Sequence, residues 1–393
     1  MDRIGIYGGT FNPPHIGHIQ AAQQAVRLLK LDRLLLIPDR IAPHKQLPDG
    51  SPTPQQRLDL LRLAAKQIPE AEVSDMELRR DGVSFTYLTV GQLRQQYPDA
   101  ELVLIMGTDM FLSFHNWREP EQIMKEASLA VLYRGDRGEK TAVEAQKQRL
   151  EGCGARVELA DNRITPISST DLRRLLIFRC VGPFLPEGVE DAIRQQGLYG
   201  TARDYRNLPM EELEQVVISL LNPDRVKHVL GCRDMAVELA KRWGANETDA
   251  ARAGILHDIT KALDGPLQLT LSSEYGILLD TFSAKYPKTL HALTGSMVAD
   301  QIFGEKEAVV SAIRYHTTGK ADMNLLEKII YVADYTEPNR NLPGVDTMRQ
   351  LAFSNLDEAL KMGLEMALVH VTRQGEEVSP ESLEALAFLN DTL

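Results

Sequence analysis

Cysteine is scarce in this chain. Only Cys153, Cys180 and Cys232 occur in 393 residues, and no two of them form a CxxC pair. That excludes a disulfide framework and a thiolate zinc site, and a reducing cytoplasm is the expected home. Long apolar runs are missing too. Nothing approaches the roughly 18 residues a membrane span needs, and the first residues enter a strand pattern with no signal-peptide core. Positive charge is in deficit, with 44 Lys and Arg against 55 Asp and Glu and a net charge of −11. Such a balance argues against nonspecific binding to nucleic acid or membrane. An anionic substrate must then be met by local positive groups or by a metal ion. There is neither an internal repeat nor a low-complexity stretch.

What is present is an ordinary globular composition, 43% hydrophobic and 25% charged, over a length that exceeds one core. Up to about residue 200, short apolar strands ("RIGIYG", "RLLLIP", "ELVLIMG", "LAVLYR", "RVEL") alternate with helical patterns near 16–30, 54–67, 85–97, 119–126 and 140–150. That alternation predicts an α/β domain with a parallel sheet and crossover helices. "TARDYRNLPM" then reads as a polar linker over 201–209, and 210–393 is helical in period almost throughout, an all-α domain.

The stretch "GGTFNPPHIGH" lies where the first strand hands over to a helix. Gly8 and Gly9 let a ligand approach the backbone. His15 and His18, three apart at a helix start, share a face on which the helix dipole favours an anion. They suit hydrogen bonding to phosphate oxygens whose charge grows during phosphoryl or nucleotidyl transfer. A second candidate cradle is "PISSTDLRRLL": Ser168, Ser169 and Thr170 precede a helix and Arg173 lies in its first turn. Its simpler reading is a helix cap.

Together "GGTFNPPHIGH" and "ISSTDLRR" resemble the signatures of the nucleotidyltransferase superfamily with a Rossmann-like core. With "IPDRIAPHK", "DGVSFTYLTV" and "LIMGTDMFLSFHNW" in order, residues 1–200 are similar to bacterial nicotinate-mononucleotide adenylyltransferases. The resemblance implies direct in-line transfer of AMP from ATP to nicotinate mononucleotide, aided by Mg²⁺, with pyrophosphate leaving. It implies that Gly8, Gly9, Thr10, Phe11, His15, His18, Ser168, Ser169, Thr170 and Arg173 surround the ATP phosphates. Lys45 becomes a point charge for substrate phosphate, Asp109 lies near the adenosine, and Thr86 and Trp117 meet the nicotinate ring. Core packing is the alternative for Trp117, and a solvated loop for Lys45. Arg134, after a strand, is a weaker candidate.

In the second half "AGILHDITKAL" sets His257 beside Asp258, His228 lies in "RVKHVLG" and Asp334 in "EKIIYVADYTEP". Burying one ionisable group on an apolar helical face is costly; four around a cation remove that objection. Imidazole with carboxylate and no thiolate suits iron first, with manganese, cobalt or zinc as alternatives. These residues resemble the H…HD…D pattern of the HD phosphohydrolase superfamily. "TLHALTGSMVA", "YHTTG" and "ADYTEPNR" are similar to the HD-domain hydrolases that split diadenosine tetraphosphate symmetrically into two ADP. The resemblance implies His228, His257, Asp258 and Asp334 as metal ligands. His291, His316 and Thr317 are implied as contacts to substrate phosphates, and the two histidines as alternative ligands of a second metal.

The expectation is a bifunctional enzyme with ATP, nicotinate mononucleotide and diadenosine tetraphosphate as small-molecule partners, and no nucleic acid or membrane partner. Two alternatives concern the second half: a nucleotide sensor that does not cleave, or hydrolysis of another nucleotide. A homo-oligomer stays open.

Overall fold

The structure is a computed structural model and describes residues 2–43, 46–133 and 139–393. The chain divides into two compact units, Met1–Arg203 and Asp204–Leu393.

The first unit is built on six strands: β1 (Arg3–Gly9), β2 (Arg33–Pro38), β3 (Ala71–Val73), β4 (Glu101–Gly107), β5 (Ser128–Leu132) and β6 (Val157–Ala160). They form one sheet in the order β3-β2-β1-β4-β5-β6, with every neighbouring pair parallel. The central strands are apolar along their whole length because helices cover both faces, so β2, β4 and β5 are buried almost throughout. The helices Ile16–Leu28, Pro54–Ala65, Thr86–Gln96, Pro120–Glu126 and Glu139–Gly152 supply the crossovers.

Five of the six strands correspond to the apolar runs in the sequence. β3 does not. It is three residues long, half-buried, and its "AEV" carries too little hydrophobic pattern to read as a strand. The strand order reverses between β1 and β4, and a doubly wound sheet binds its ligands in the crevice at such a point. Gly8 and Gly9 end β1, and Gly107 ends β4 just before Asp109.

The loop leaving β1 is pinned from below by Arg57 of the Pro54–Ala65 helix. Its Nη1 donates to the Thr10 carbonyl (2.5 Å) and to Asp39 Oδ1 (3.1 Å), and its Nη2 donates to the Asp39 carbonyl (2.7 Å). Thr10 Oγ1 closes the arrangement by donating to Asp39 Oδ2 at 2.7 Å. The Arg57 side chain is wholly buried. Arg57→Ala strands the Asp39 carboxylate beside unpaired carbonyls. We expect it to cost about 3–5 kcal/mol of stability, the loss typical when one partner of a buried ion pair is removed, measured by denaturant unfolding.

The second unit is helical and contains no strand. Its principal helices are Met210–Leu220, Pro223–Trp243, Glu247–Leu256, Gly265–Glu274, Leu290–Gln301, Glu307–Arg314, Leu325–Thr336, Val345–Ser354, Leu356–Arg373 and Pro380–Thr392. Their ends follow local chemistry. Pro223 starts the long helix, and Gly244, at φ 78°, stops it. Asn246 caps the next helix through the Asp249 amide. Asn324 and Glu327 cap each other ahead of Leu325–Thr336. Within the stretch that reads as a polar linker, Tyr205 and Leu208 are buried. The Asn207 amide donates to the Phe303 carbonyl and Arg252 to the Leu208 carbonyl, so 204–208 is packed into this unit. Among the described residues no helix is long and apolar enough to cross a membrane.

Candidate active sites of the two units

In the first unit His15 is the N-cap of the Ile16–Leu28 helix and His18 lies in its first turn. The His15 amide donates to His18 Nδ1 at 3.2 Å. An accepting Nδ1 leaves the proton of a neutral imidazole on Nε2, so His18 presents an N–H donor on its far side. The two rings stack with centroids 3.6 Å apart. Phe11, anticipated among the substrate contacts, is buried. Its ring meets that of His18 edge-on at 5.0 Å and that of Tyr7 at 5.8 Å. Its side chain therefore supports His18. Gly17, which the sequence reading passed over, is what lets the His15 ring lie so close to the helix. A Cβ there would meet His15 Nδ1 and the Thr165 carbonyl at 3.1 Å each.

The second motif arrives from 156 to 161 residues away and closes on the same loop. Ser169 Oγ donates to the Pro13 carbonyl (3.0 Å), and Arg173 Nη1 donates to the Asn12 carbonyl (2.7 Å). Arg173 Nη2 donates to Thr170 Oγ1 at 3.0 Å, and burial pulls the guanidinium pKa down. Ser168 caps its helix, accepting from the Asp171 amide at 3.0 Å. The cap reading thus applies to Ser168, while Ser169 and Arg173 join the two motifs. Thr86 opens the Thr86–Gln96 helix and is half-buried. Asp109 is exposed at the end of β4. Trp117 is half-buried against Phe114, centroids 5.2 Å apart, at the edge of the core. Lys45 and Arg134 lie outside the described residues.

In the second unit the four candidate ligands converge. His228 faces inward from the Pro223–Trp243 helix, and Asp334 comes from Leu325–Thr336. The Glu247–Leu256 helix ends so that His257 is its C-cap, which lets both His257 and Asp258 turn to one point. His257 Nδ1 donates to the Gly254 carbonyl at 2.7 Å, and His228 Nδ1 donates to Glu337 Oε1 at 3.1 Å. Both Nε2 atoms then carry lone pairs, and they face each other at 3.3 Å. Asp334 Oδ1 lies 3.1 Å and 3.8 Å from them, and Asp258 Oδ2 3.7 Å and 3.5 Å. Acceptors so gathered repel one another unless positive charge sits among them.

The ionisation of the cluster says the same. Burial alone would raise the Asp258 carboxyl, but the charge of His257 beside it, with the His291 and His316 rings, holds it well below its ordinary range. Burial likewise opposes ionisation of Asp334, and His228, His257 and Arg340 overcome it. For His257, burial disfavours the charged ring, yet the adjacent Asp258 carboxylate outweighs it and lifts the imidazole well above its usual value. The spot draws in a proton or a cation. Burial pushes the Cys232 thiol up, so it stays protonated and the donor set remains nitrogen and oxygen. Those donors fit a divalent transition cation.

His316 belongs to this geometry as well. Its Nδ1 donates to the Ile313 carbonyl at 2.7 Å, and its buried Nε2 has no hydrogen-bond partner. It forms with His257 and Asp258 a second set of three that could hold an ion, beside His228, His257 and Asp334. His291 Nε2 lies 3.3 Å from Asp258 Oδ1 and 2.9 Å from Lys261 Nζ. The buried Thr317 hydroxyl has no partner.

Glu337 escaped the sequence reading. It fixes the tautomer and direction of His228, and Gly231 makes room for it, since a Cβ there would lie 2.4 Å from Glu337 Oε2. Glu337→Gln should lower metal affinity about 10–100-fold, as loss of a ligand's hydrogen-bonded support does, measured by competition with a chelating dye.

Comparison with known proteins agrees with this division. Residues 6–175 match the Cytidylyltransferase-like family and residues 225–339 the HD domain. A probable nicotinate-nucleotide adenylyltransferase of Exiguobacterium sibiricum is 34% identical over 200 residues, 51% of this chain and 100% of its own length. One from Desulfatibacillum aliphaticivorans is 36% identical over 217 residues, 50% of this chain and 99% of its own. A solved structure described as a predicted HD superfamily hydrolase involved in NAD metabolism, from Clostridium acetobutylicum, is 34% identical. It covers 47% of this chain and 99% of its own, with a TM-score of 0.46. With full-length relatives matched along its first half and an HD domain in its second, the chain belongs to the nicotinate-nucleotide adenylyltransferase family.

Proposed function

We propose that the first unit transfers AMP from ATP to nicotinate mononucleotide, forming nicotinate adenine dinucleotide and pyrophosphate. The mononucleotide phosphate attacks the α-phosphorus, and pyrophosphate departs opposite. The observation that carries this reading is the closure of Ser169 and Arg173 on the Asn12–Pro13 loop, beside the stacked His15 and His18. In this reading the His18 Nε2–H, the helix-terminal amides and the Arg173 guanidinium stabilise charge on phosphate oxygens. Asp109, Thr86 and Trp117 serve the nucleoside and the nicotinate ring, and Lys45 the substrate phosphate. Mg²⁺ accompanies ATP. Pyrophosphate release, measured with ATP and Mg²⁺, should require nicotinate mononucleotide; release that is absent, or indifferent to the mononucleotide, would refute the assignment.

The second unit, in this reading, hydrolyses diadenosine tetraphosphate to two ADP. His228, His257, Asp258 and Asp334 hold a divalent ion, with iron the first choice and manganese, cobalt or zinc the alternatives. His291, His316 and Thr317 receive substrate phosphate. A bound ion of this kind supplies a water of lowered pKa and polarises a phosphoryl oxygen. The chain's own part is to orient: Glu337 and the Gly254 carbonyl set the two imidazoles, and Lys261 adds positive charge beside His291. A panel of diadenosine tetraphosphate, a guanosine alarmone and a deoxynucleoside triphosphate tests the substrate. Two ADP from the first are expected. Cleavage of another member only would reassign the substrate, and cleavage of none would mark a sensor.

A further inference from the structure

The candidate ligands and phosphate contacts of the second unit all fall within residues 225–339 of the HD match. The last helix, Pro380–Thr392, supplies none of them. Its first turn nevertheless grips the segment that carries His316 and Thr317. Glu381 Oε1 accepts from Arg314 Nη2 at 2.9 Å, and Glu381 Oε2 accepts from Thr318 Oγ1 at 2.7 Å. One carboxylate thus takes hold of the chain on both sides of the His316–Thr317 pair. Ser382 Oγ adds a third bond, donating to the Thr318 carbonyl at 2.7 Å. Thr318 is buried, and the other acceptor recorded for its hydroxyl, the Gly319 carbonyl, lies farther off at 3.2 Å.

No regular element fixes that segment, which runs between Glu307–Arg314 and Leu325–Thr336. Two of its polar atoms, His316 Nε2 and Thr317 Oγ1, are buried without partners. His316 Nε2 lies 3.7 Å from Asp258 Oδ1, at the site. Buried polar atoms left unpaired are costly unless a ligand meets them. The last helix is anchored apart from its carboxylate. Its Ala385 and Leu389 are buried. Gly319, at φ 65°, leaves room for the helix, since a Cβ there would lie 3.2 Å from Leu364 and 3.4 Å from Ala385. The helix therefore stays docked when the Glu381 carboxylate is removed, and the His316–Thr317 segment alone is released.

We propose that Glu381 is a positioning residue of the second unit's site, acting with Ser382 to hold the His316 ring and the Thr317 hydroxyl where they meet a metal-bound phosphate chain. This rests on the reading of the second unit as a metal-dependent phosphohydrolase, and it assigns part of the phosphate site to the final helix. Glu381 itself touches neither substrate nor metal. Its effect passes through His316 and Thr317, so it vanishes once those two side chains are gone. Residues that act through one another are coupled and not additive.

The test uses the full chain, Mn²⁺ and inorganic tripolyphosphate, with calorimetry as the readout. Thr317→Val should weaken Mn²⁺-dependent tripolyphosphate binding about tenfold or more, the worth of a hydrogen bond to a charged group. Glu381→Ala should weaken it about threefold or more, as loss of the Thr318 bond loosens the segment. Glu381→Gln, whose amide oxygen still accepts from Thr318, should keep most of the binding and guards against misfolding of the alanine variant. Affinity for Mn²⁺ alone should be unaltered in both, since His228, His257 and Asp334 are untouched. In a chain that already carries His316→Ala and Thr317→Val, Glu381→Ala should weaken binding no further. A full additional loss in that background, Mn²⁺ affinity that falls in parallel, or binding unchanged by Glu381→Ala would overturn the proposal while leaving the phosphohydrolase reading intact. Tripolyphosphate binding that is absent from the unaltered chain, or indifferent to Thr317→Val, would refute the phosphate-site reading and this inference with it.

Discussion

His18→Ala is expected to slow dinucleotide formation by about 10²–10³-fold, the loss that follows removal of one donor to a developing oxyanion. The reason is the direction of its ring. With Nδ1 accepting from the His15 amide, the proton of a neutral ring lies on Nε2, on the far side of the ring. The variant also gives up the capping-box bond from the His15 amide to His18 Nδ1, so circular dichroism should accompany the assay to verify that the helix is retained. The fall should appear in kcat more than in the KM for nicotinate mononucleotide, because the donor acts on charge that grows in the transition state. A drop of less than about threefold would remove His18 from the chemistry.

The second large effect concerns Asp258. Its two oxygens serve different neighbours: Oδ2 faces His228, His257 and Arg225, and Oδ1 faces His291 and His316. Asp258→Asn halves the carboxylate's acceptor capacity and removes its charge from among four imidazoles. Metal content should fall to background by elemental analysis. ADP formation should fall about 10³-fold or more, consistent with several kcal/mol of lost charge stabilisation. Dinucleotide formation should be unchanged. Retained metal with lost hydrolysis would make Asp258 a substrate contact and not a ligand.

How far could the sequence be read? The parallel sheet was legible because strands buried on both faces are continuously apolar, as in "LLLIP" and "LVLIM". β3 was not, because a three-residue edge strand has no period. His15 and His18 stood out because their spacing implies a shared face, and His257 and Asp258 because an adjacent imidazole and carboxylate can both reach one ion near a helix end. Arg57, Asp39 and Glu337 did not, for the opposite reason. Arginine and carboxylate on helices are ordinarily solvated, and only tertiary contact shows Arg57 buried beneath Thr10 or Glu337 behind His228. Gly17 and Gly231 are similar: what they exclude is a clash visible only once the rings and the carboxylate are placed. Ser168 shows the limit of motif reading, since a helix cap and a phosphate contact use the same residue type at the same place.

One chromatographic experiment bears on the whole account. A single reaction holding ATP, Mg²⁺, nicotinate mononucleotide, Mn²⁺ and diadenosine tetraphosphate is run with the unaltered chain, with His18→Ala and with Asp258→Asn. The unaltered chain should yield nicotinate adenine dinucleotide and ADP, His18→Ala should lose the dinucleotide alone, and Asp258→Asn the ADP alone. Failure of the unaltered chain to make the dinucleotide, or loss of both products from either variant with its fold intact, would contradict the assignment of two separate sites.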